Sequence, residues 1–213
     1  MNGRPYRSLS FVSALAAVLA IFISIRSCQV SNDALALASN EYIQERTLIL
    51  TANFSENNDG ITLKPTNAEI TLLKGVVTFP PEIYAEAIPI SSSGELWRMP
   101  VIISTLQDYV LKKVPRANGV IKIQSSQIPV IVESYYAAKG DTYNDKSLYF
   151  LGYDSFVYED TYKSPSIHFR DLVFVLRETS KKNVITPDDL DKIINKQSYV
   201  RMPYGLPSTS PKK

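Results

Sequence analysis

Hydrophobic and polar positions change rhythm twice along the chain, and each change marks a different kind of element. From Ser8 to Ile25 the run SLSFVSALAAVLAIFISI holds no charged residue and no proline. As a helix it would reach roughly 27 Å at 1.5 Å per residue, close to the thickness of a bilayer core. Polar residues then mix with alanine and leucine through SCQVSNDALALASNEYIQER, where no glycine or proline interrupts, so the helix is expected to continue to about Glu45. From Thr47 the period falls to two. Leu48, Leu50, Ala52 and Phe54 share one face, and Ile61 and Leu63 share another across the turn cluster ENNDG. In NAEITLLKGVVTFPPE the apolar phase shifts around Gly75, as a bulge would produce, and Pro80-Pro81 closes the strand. A meander of these three strands is expected.

Helical period returns once more after Pro100, where Ile102, Ile103, Leu106, Tyr109, Val110 and Val114 form a stripe and Lys112 and Lys113 stand near the C-terminus. GVIKIQ reads as a short strand. QIPVIVESYYAAK and SLYFLGYDSFVYE read as a hairpin across the polar turn GDTYNDK. SIHFRDLVFVLRE follows, apolar on both faces from Leu172 to Leu176 and therefore expected as a central strand. Thr186 and Pro187 open a last helix, TPDDLDKIINK, with early aspartates that suit its dipole. The predicted fold is mainly β: a transmembrane helix and stalk, then a β-sandwich-like domain, or a sheet with a helix covering one side. The expected divisions are a tail over 1–7, a membrane helix over 8–25, a stalk over 26–46, a β-rich domain over 47–197 and a disordered tail over 198–213.

The apolar run is read as a retained signal-anchor in a single-pass protein of a bacterial inner membrane. Arg4 and Arg7 precede it and Arg26 ends it, which gives both borders side chains that reach the headgroups. The first small-x-small pairs, Ala34/Ala36 and Ala36/Ala38, lie beyond Arg26 and Asp33, too far along for a cleavage site. Arg26 also spoils a lipid-attachment motif before Cys28, leaving acylation of that thiol as a lesser alternative. The charge bias places the N-terminus in the cytoplasm. Ala16, Ala20, Ser24 and Cys28 recur every fourth residue, and small side chains on one helix face let two membrane helices pack closely. A homo-oligomer is expected, with Cys28, Leu35, Ala38 and Tyr42 continuing as a short seam in the stalk. Asn53-Phe54-Ser55 is a glycosylation sequon, relevant only in a eukaryotic secretory route.

The segments Ser24-Ile25-Arg26-Ser27, Asp33-Ala34-Leu35-Ala36-Leu37-Ala38 and Glu45-Arg46-Thr47-Leu48-Ile49-Leu50 together resemble those of uncharacterised bacterial single-pass membrane proteins, in which a short helical stalk precedes a β-rich domain. The resemblance covers about a quarter of the chain and implies no activity.

Composition narrows the chemistry. Among 213 residues, one cysteine and one histidine leave no Cys/His zinc set and no internal disulfide. A net charge of +2, with scattered lysines and arginines, lacks the basic face that nucleic acid requires. His168 alternates with Ile167 and Phe169 and is expected, with Arg170, on the solvent side of a strand. Glu159/Asp160 read as a loop pair, Asp188/Asp189 as helix-start residues, and Ser91-Ser92-Ser93-Gly94 as a flexible loop without the lysine of a phosphate cradle. No catalytic, cofactor-binding or metal site is assigned. Tyr135, Tyr136, Tyr143, Tyr149, Tyr153, Tyr158 and Tyr162 form the one compositional excess, and the first five, around the hairpin, are the expected contact surface. The function read from the sequence is a membrane-anchored, non-enzymatic interaction or structural module with the lipid bilayer and an unidentified protein as partners. The alternatives are a hydrolase with an unrecognised site, which would gather Glu159, Asp160 and His168, and an exported soluble subunit.

Overall fold

The computed structural model describes residues 6–57, 59–178 and 184–195, with side chains described from residue 20 onward. The tail expected over 198–213 lies outside them. Two compact units divide between Thr47 and Leu48. The first is α1, Tyr6–Arg46, one helix of 41 residues. Its end is closed by its own side chains: the Thr47 hydroxyl donates to the Ile43 carbonyl at 2.6 Å, and Arg46 donates to the Tyr42 carbonyl at 3.3 Å while lying 3.7 Å from the Tyr42 ring centroid. A cation there answers both the orphan carbonyls and the negative end of the helix dipole. Among the described residues no helix is long and apolar enough to cross a membrane. Residues 8–19 of the expected span, including Ala16, lie outside those whose side chains are described.

The second unit is mainly β, with sheets and a few helices. β1 (Leu50–Phe54) and β2 (Ile61–Pro65) form a two-stranded antiparallel sheet. The Ser55 hydroxyl closes their turn by accepting from the amides of Asp59 and Gly60 at 3.0 and 2.9 Å. β3 (Ile70–Thr78), β4 (Ile88–Ile90), β5 (Lys122–Ala138), β6 (Asp141–Val157) and β7 (Ser166–Arg177) build a five-stranded antiparallel sheet in the order β4-β3-β5-β6-β7. The expected meander is therefore split. The free edge of β2 is occupied instead by the residues around Gly94, with Leu63 donating to the Gly94 carbonyl at 2.8 Å and Leu96 to the Ile61 carbonyl at 2.9 Å. Ser91-Ser92-Ser93-Gly94 is correspondingly an ordered turn: the Ser91 hydroxyl stands 2.7 Å from that of Ser93 and accepts the Glu95 amide at 3.0 Å.

GVIKIQ and QIPVIVESYYAAK turn out to be one strand of 17 residues. Pro129 is tolerated inside it because β3 reaches only as far as the Thr78↔Ile131 pair, so beyond that point β5 has no β3 neighbour. The hairpin turn is shorter than expected. Lys139 and Gly140, with φ of 51° and 88°, complete it alone, since positive φ at both positions gives the twist that strands need to pair at once. Asp141–Lys146 are thus strand residues. β7 is an edge strand rather than a central one. It is apolar on both faces because each face is covered: Phe174 packs toward the larger core and Val175 is buried in the smaller.

Period two sends alternate residues of the large sheet to opposite faces. On one side Ile128, Val130 and Val132 of β5 and Tyr149, Leu151 and Tyr153 of β6 join the main core with Leu48, Leu50, Ile61 and Leu63. The same core receives α2 (Met99–Lys113) through Met99 and, from the expected stripe, Ile102, Leu106, Tyr109 and Val110, while Ile103 and Val114 are half-buried against it. Two sheets sharing a core are consistent with sandwich-like layering. On the opposite face Ile131, Leu148 and Val175 pack with Ile185 and with Leu190 of α3 (Pro187–Ile194). α3 begins as expected at Thr186, whose amide and hydroxyl donate to the Asp189 carboxylate at 3.1 and 2.7 Å; those bonds, the hydroxyl's first, hold this carboxyl below its usual 3.8.

Tyr149 is the largest fully buried side chain, and its hydroxyl accepts the Leu50 amide at 3.1 Å. Burial is the main reason its pKa is pushed up to about 12. A tyrosine that ionises near 10 when unfolded and near 12 when folded favours the folded state below pH 10 and loses that contribution as pH rises through 12. Tyr149's share of the stability against denaturant is expected to fall by about 2–3 kcal/mol across this window, two pKa units at 1.36 kcal/mol each. Tyr149→Phe should flatten that slope, and an unchanged slope would show that Tyr149 is not its source.

Candidate functional site

Between the Lys139–Gly140 turn and the row formed by Ile131 and Leu148, no element among the described residues covers the face of the sheet that carries α3. Strand register puts Lys74 opposite Tyr135, Val76 opposite Glu133, Asn144 opposite Tyr135 and Lys146 opposite Glu133. These side chains wall a groove of about 610 Å³ whose floor is the sheet itself at Gly75, Ser134 and Asp145, closed at one end by Glu178. Gly75 is required there: a Cβ would meet the Glu133 carbonyl oxygen at 2.7 Å and a methyl of Ile90 at 2.9 Å. The surface forms only when β3 pairs with the β5–β6 hairpin, which lies far from it in sequence.

Charge in the groove is balanced. The Lys146 ammonium lies 3.1 Å from Glu178 and 3.7 Å from Glu133. Glu178 also accepts the Ile185 amide at 3.2 Å; that bond first, and the Lys146 bond second, hold its carboxyl below the usual 4.5. Lys74 lies 5.6 Å from the centroid of the Tyr135 ring. Tyr135 is half-buried and Asn144 is exposed.

Beneath the floor, on the main-core side, a polar cluster supports the site. The Asp145 side chain, only 4% exposed, accepts from Arg177 Nε and from the Ser147 hydroxyl, the latter at 2.6 Å. Arg177 donates its other end to the Leu48 carbonyl. A buried carboxylate has lost its hydration, which such partners repay only when both oxygens are bonded. Nothing in the local sequence pattern marks this pair, because Asp145 falls in a polar run that reads as a turn. Placing the turn at Lys139-Gly140 would have set Asp145, Ser147 and Tyr149 on one inward face.

The five tyrosines expected as a contact surface separate. Tyr136, Tyr149 and Tyr153 are 5%, 0% and 3% exposed, and burial raises the pKa of each, so they are core residues and not a surface. Alternation is the reason: they fall in phase with Val132 and Leu151. Tyr143 is half-buried and stacks on Tyr136 with centroids 5.6 Å apart. Tyr135 alone of the five lines the groove.

His168 and Arg170 are exposed, and Ile167 and Phe169 are buried. The imidazole stands edge-on to Phe156 at 5.2 Å, across the strand pair from Asp154. Asp154 accepts from Ser125 at 2.6 Å and from Arg170 at 2.8 Å, and Arg170 reaches Asp171 at 3.0 Å, a surface network without a sequence motif. Glu159 binds the Gly119 amide, and Asp160 binds the Tyr162 amide at 2.9 Å, so each ties down a loop. Asp189 is spent on the start of α3. Ala20, Ser24 and Cys28 are exposed along α1. Among the described residues no three His, Cys, Asp or Glu side chains are grouped to hold a metal ion. No family model, curated protein or solved structure matches the chain.

Proposed function

We propose that the chain is a single-pass, membrane-anchored binding module: α1 inserts through its N-terminal half, and the β-rich domain joined to its other end offers the balanced groove to a partner. One observation carries the reading. Ile21, Phe22, Ile23 and Ile25 are 59%, 65%, 67% and 54% exposed on a helix whose apolar side chains are not gathered on one face. A helix apolar all round is stable only where its whole circumference is taken out of water. Taken with residues 8–19, the uncharged run reaches the length of a bilayer core. The stepped small residues Ala16, Ala20, Ser24 and Cys28 support pairing of two such helices in the membrane.

Alkaline carbonate treatment of membranes from cells expressing the full chain is expected to leave it in the pellet, with peptides from before Ala34 still attached. Release into the supernatant, or a mature chain starting beyond Ala36, would remove the anchor. In the same membranes oxidation should cross-link Cys28 pairs, and Ala20→Ile should lower the yield; equal yields would refute the helix pairing.

A further inference from the structure

We infer that the groove over β3, β5 and β6 takes a saccharide, an inference that rests on the reading of the groove as the module's binding surface. Each other ligand class fails on a feature of the site. A peptide adding itself as a strand needs a free backbone edge, and from Ile131 to Ala138 β5 is paired on both sides, by β3 and by β6. An anion needs net positive charge, but Lys74 and Lys146 are matched in the groove by Glu133 and Glu178, with Lys146 already shared between those two carboxylates. A cation finds those two carboxylates engaged by the same ammonium. An apolar ligand would have to strip water from the charged ends of Lys74, Glu133, Lys146 and Glu178 among the lining side chains.

What remains is a neutral molecule able to donate and accept many hydrogen bonds while laying one flat, weakly apolar face on a ring. Sugars have that chemistry. Tyr135 supplies the ring, half-buried and therefore stiff. Asn144 supplies a donor and an acceptor on one amide, with no hydrogen bond to another side chain among the described residues. Glu133 and Glu178 supply further acceptors, and Lys74 a donor. A volume of about 610 Å³ falls within the roughly 300–1,000 Å³ range of small-molecule sites. The open sheet floor admits a short chain of rings running past the end away from Glu178 as readily as a single unit.

The test uses the full chain in a phosphocholine detergent, which carries no sugar. Titration calorimetry and ligand-observed NMR are run with β-1,4-linked N-acetylglucosamine trimer, with maltotriose, with inorganic phosphate and with a neutral Lys/Glu peptide. At least one trimer is expected to bind with a millimolar Kd or tighter. Tyr135→Leu and Asn144→Ala should each weaken it about tenfold, the equivalent of 1.4 kcal/mol, while Tyr135→Phe keeps most of the affinity. Ile123→Ala, on another part of the sheet, should change nothing. If Tyr135→Leu does not fold, Asn144→Ala and Lys74→Ala carry the comparison. Neither trimer binding at about 10 mM, equal affinity in the groove variants, or displacement of the sugar by phosphate or peptide would each overturn the inference. A chain held in membranes that binds no trimer removes the saccharide and keeps the anchored module; a chain that binds trimer but is released by carbonate does the reverse.

Discussion

Gly94→Ala is expected to destabilise the β-rich domain by about 3–5 kcal/mol, at the severe end of single substitutions, and to lower its Tm by about 10 °C or more. Two causes add. Gly94 has a φ of +87°, which costs an L-residue roughly 1–2 kcal/mol. A Cβ there would also lie 1.9 Å from the Leu63 carbonyl oxygen, so the turn must retreat from β2. Retreat breaks the bond from Leu63 to the Gly94 carbonyl and loosens the Leu96 to Ile61 bond beside it. Gly119→Ala is the control: its φ is +71° but nothing lies within 4 Å of its Cβ, so only the backbone term of about 1 kcal/mol remains. Thermal and denaturant unfolding of the two variants measure the difference. Equal losses would mean that the close approach to Leu63 contributes nothing.

Breaking the Asp145 and Arg177 pair is expected to cost nearly as much. Asp145→Ala should lose about 3 kcal/mol, the lower end of the range for splitting a buried ion pair, because the Arg177 side chain keeps 27% of its exposure and recovers some hydration. Arg177→Met should lose more, about 4–5 kcal/mol. It leaves a carboxylate at 4% exposure with the Ser147 hydroxyl as its main partner, and it also orphans the Leu48 carbonyl. The double variant Asp145→Leu/Arg177→Met should recover much of the loss, since a well-packed apolar pair replaces two desolvated charges. The measurement is a double-mutant cycle in denaturant. A coupling below about 0.5 kcal/mol, which is the scatter of independent sites, would sink the claim that the two residues act as a unit.

Local alternation made much of the domain legible. Leu48 and Leu50, Ile61 and Leu63, and Ile167 and Phe169 are buried where period two puts them, and His168 and Arg170 are exposed. The phase change near Gly75 is a real bulge, the register slipping between Leu72 and Lys74. Ile102, Leu106, Tyr109 and Val110 of the stripe on α2 are buried as its 3.6 period requires, and Ile103 and Val114 are half-buried at its margins. What could not be read locally was decided by partners elsewhere. GVIKIQ and QIPVIVESYYAAK read as two strands until β6 is seen to pair along the whole of both. Ile88–Ile90 is too short, and too interrupted by Pro89, to announce a strand, yet it pairs with Gly75–Val77. Neighbouring Tyr135 and Tyr136 look like one aromatic patch, but adjacent strand residues face opposite sides. One walls the groove and the other stacks in the core. The groove had no signal of its own, because Lys74, Tyr135, Lys146 and Glu178 meet only through register.

The long hairpin and the Arg177 to Leu48 bond also set an order of assembly. β5 and β6 can zip outward from Lys139-Gly140, each step closing almost no new loop. The bond to Leu48 instead closes a span of 129 residues, with the entropy cost of a long loop. In a chain synthesised from its amino end, β1 can therefore pair with β2 early but docks on the large sheet late. Until Tyr149 and Arg177 have left the ribosome, Leu50 and Leu48 lack the partners that tie the β1–β2 pair to the large sheet, and the apolar face of that pair must wait for the hairpin that will cover it.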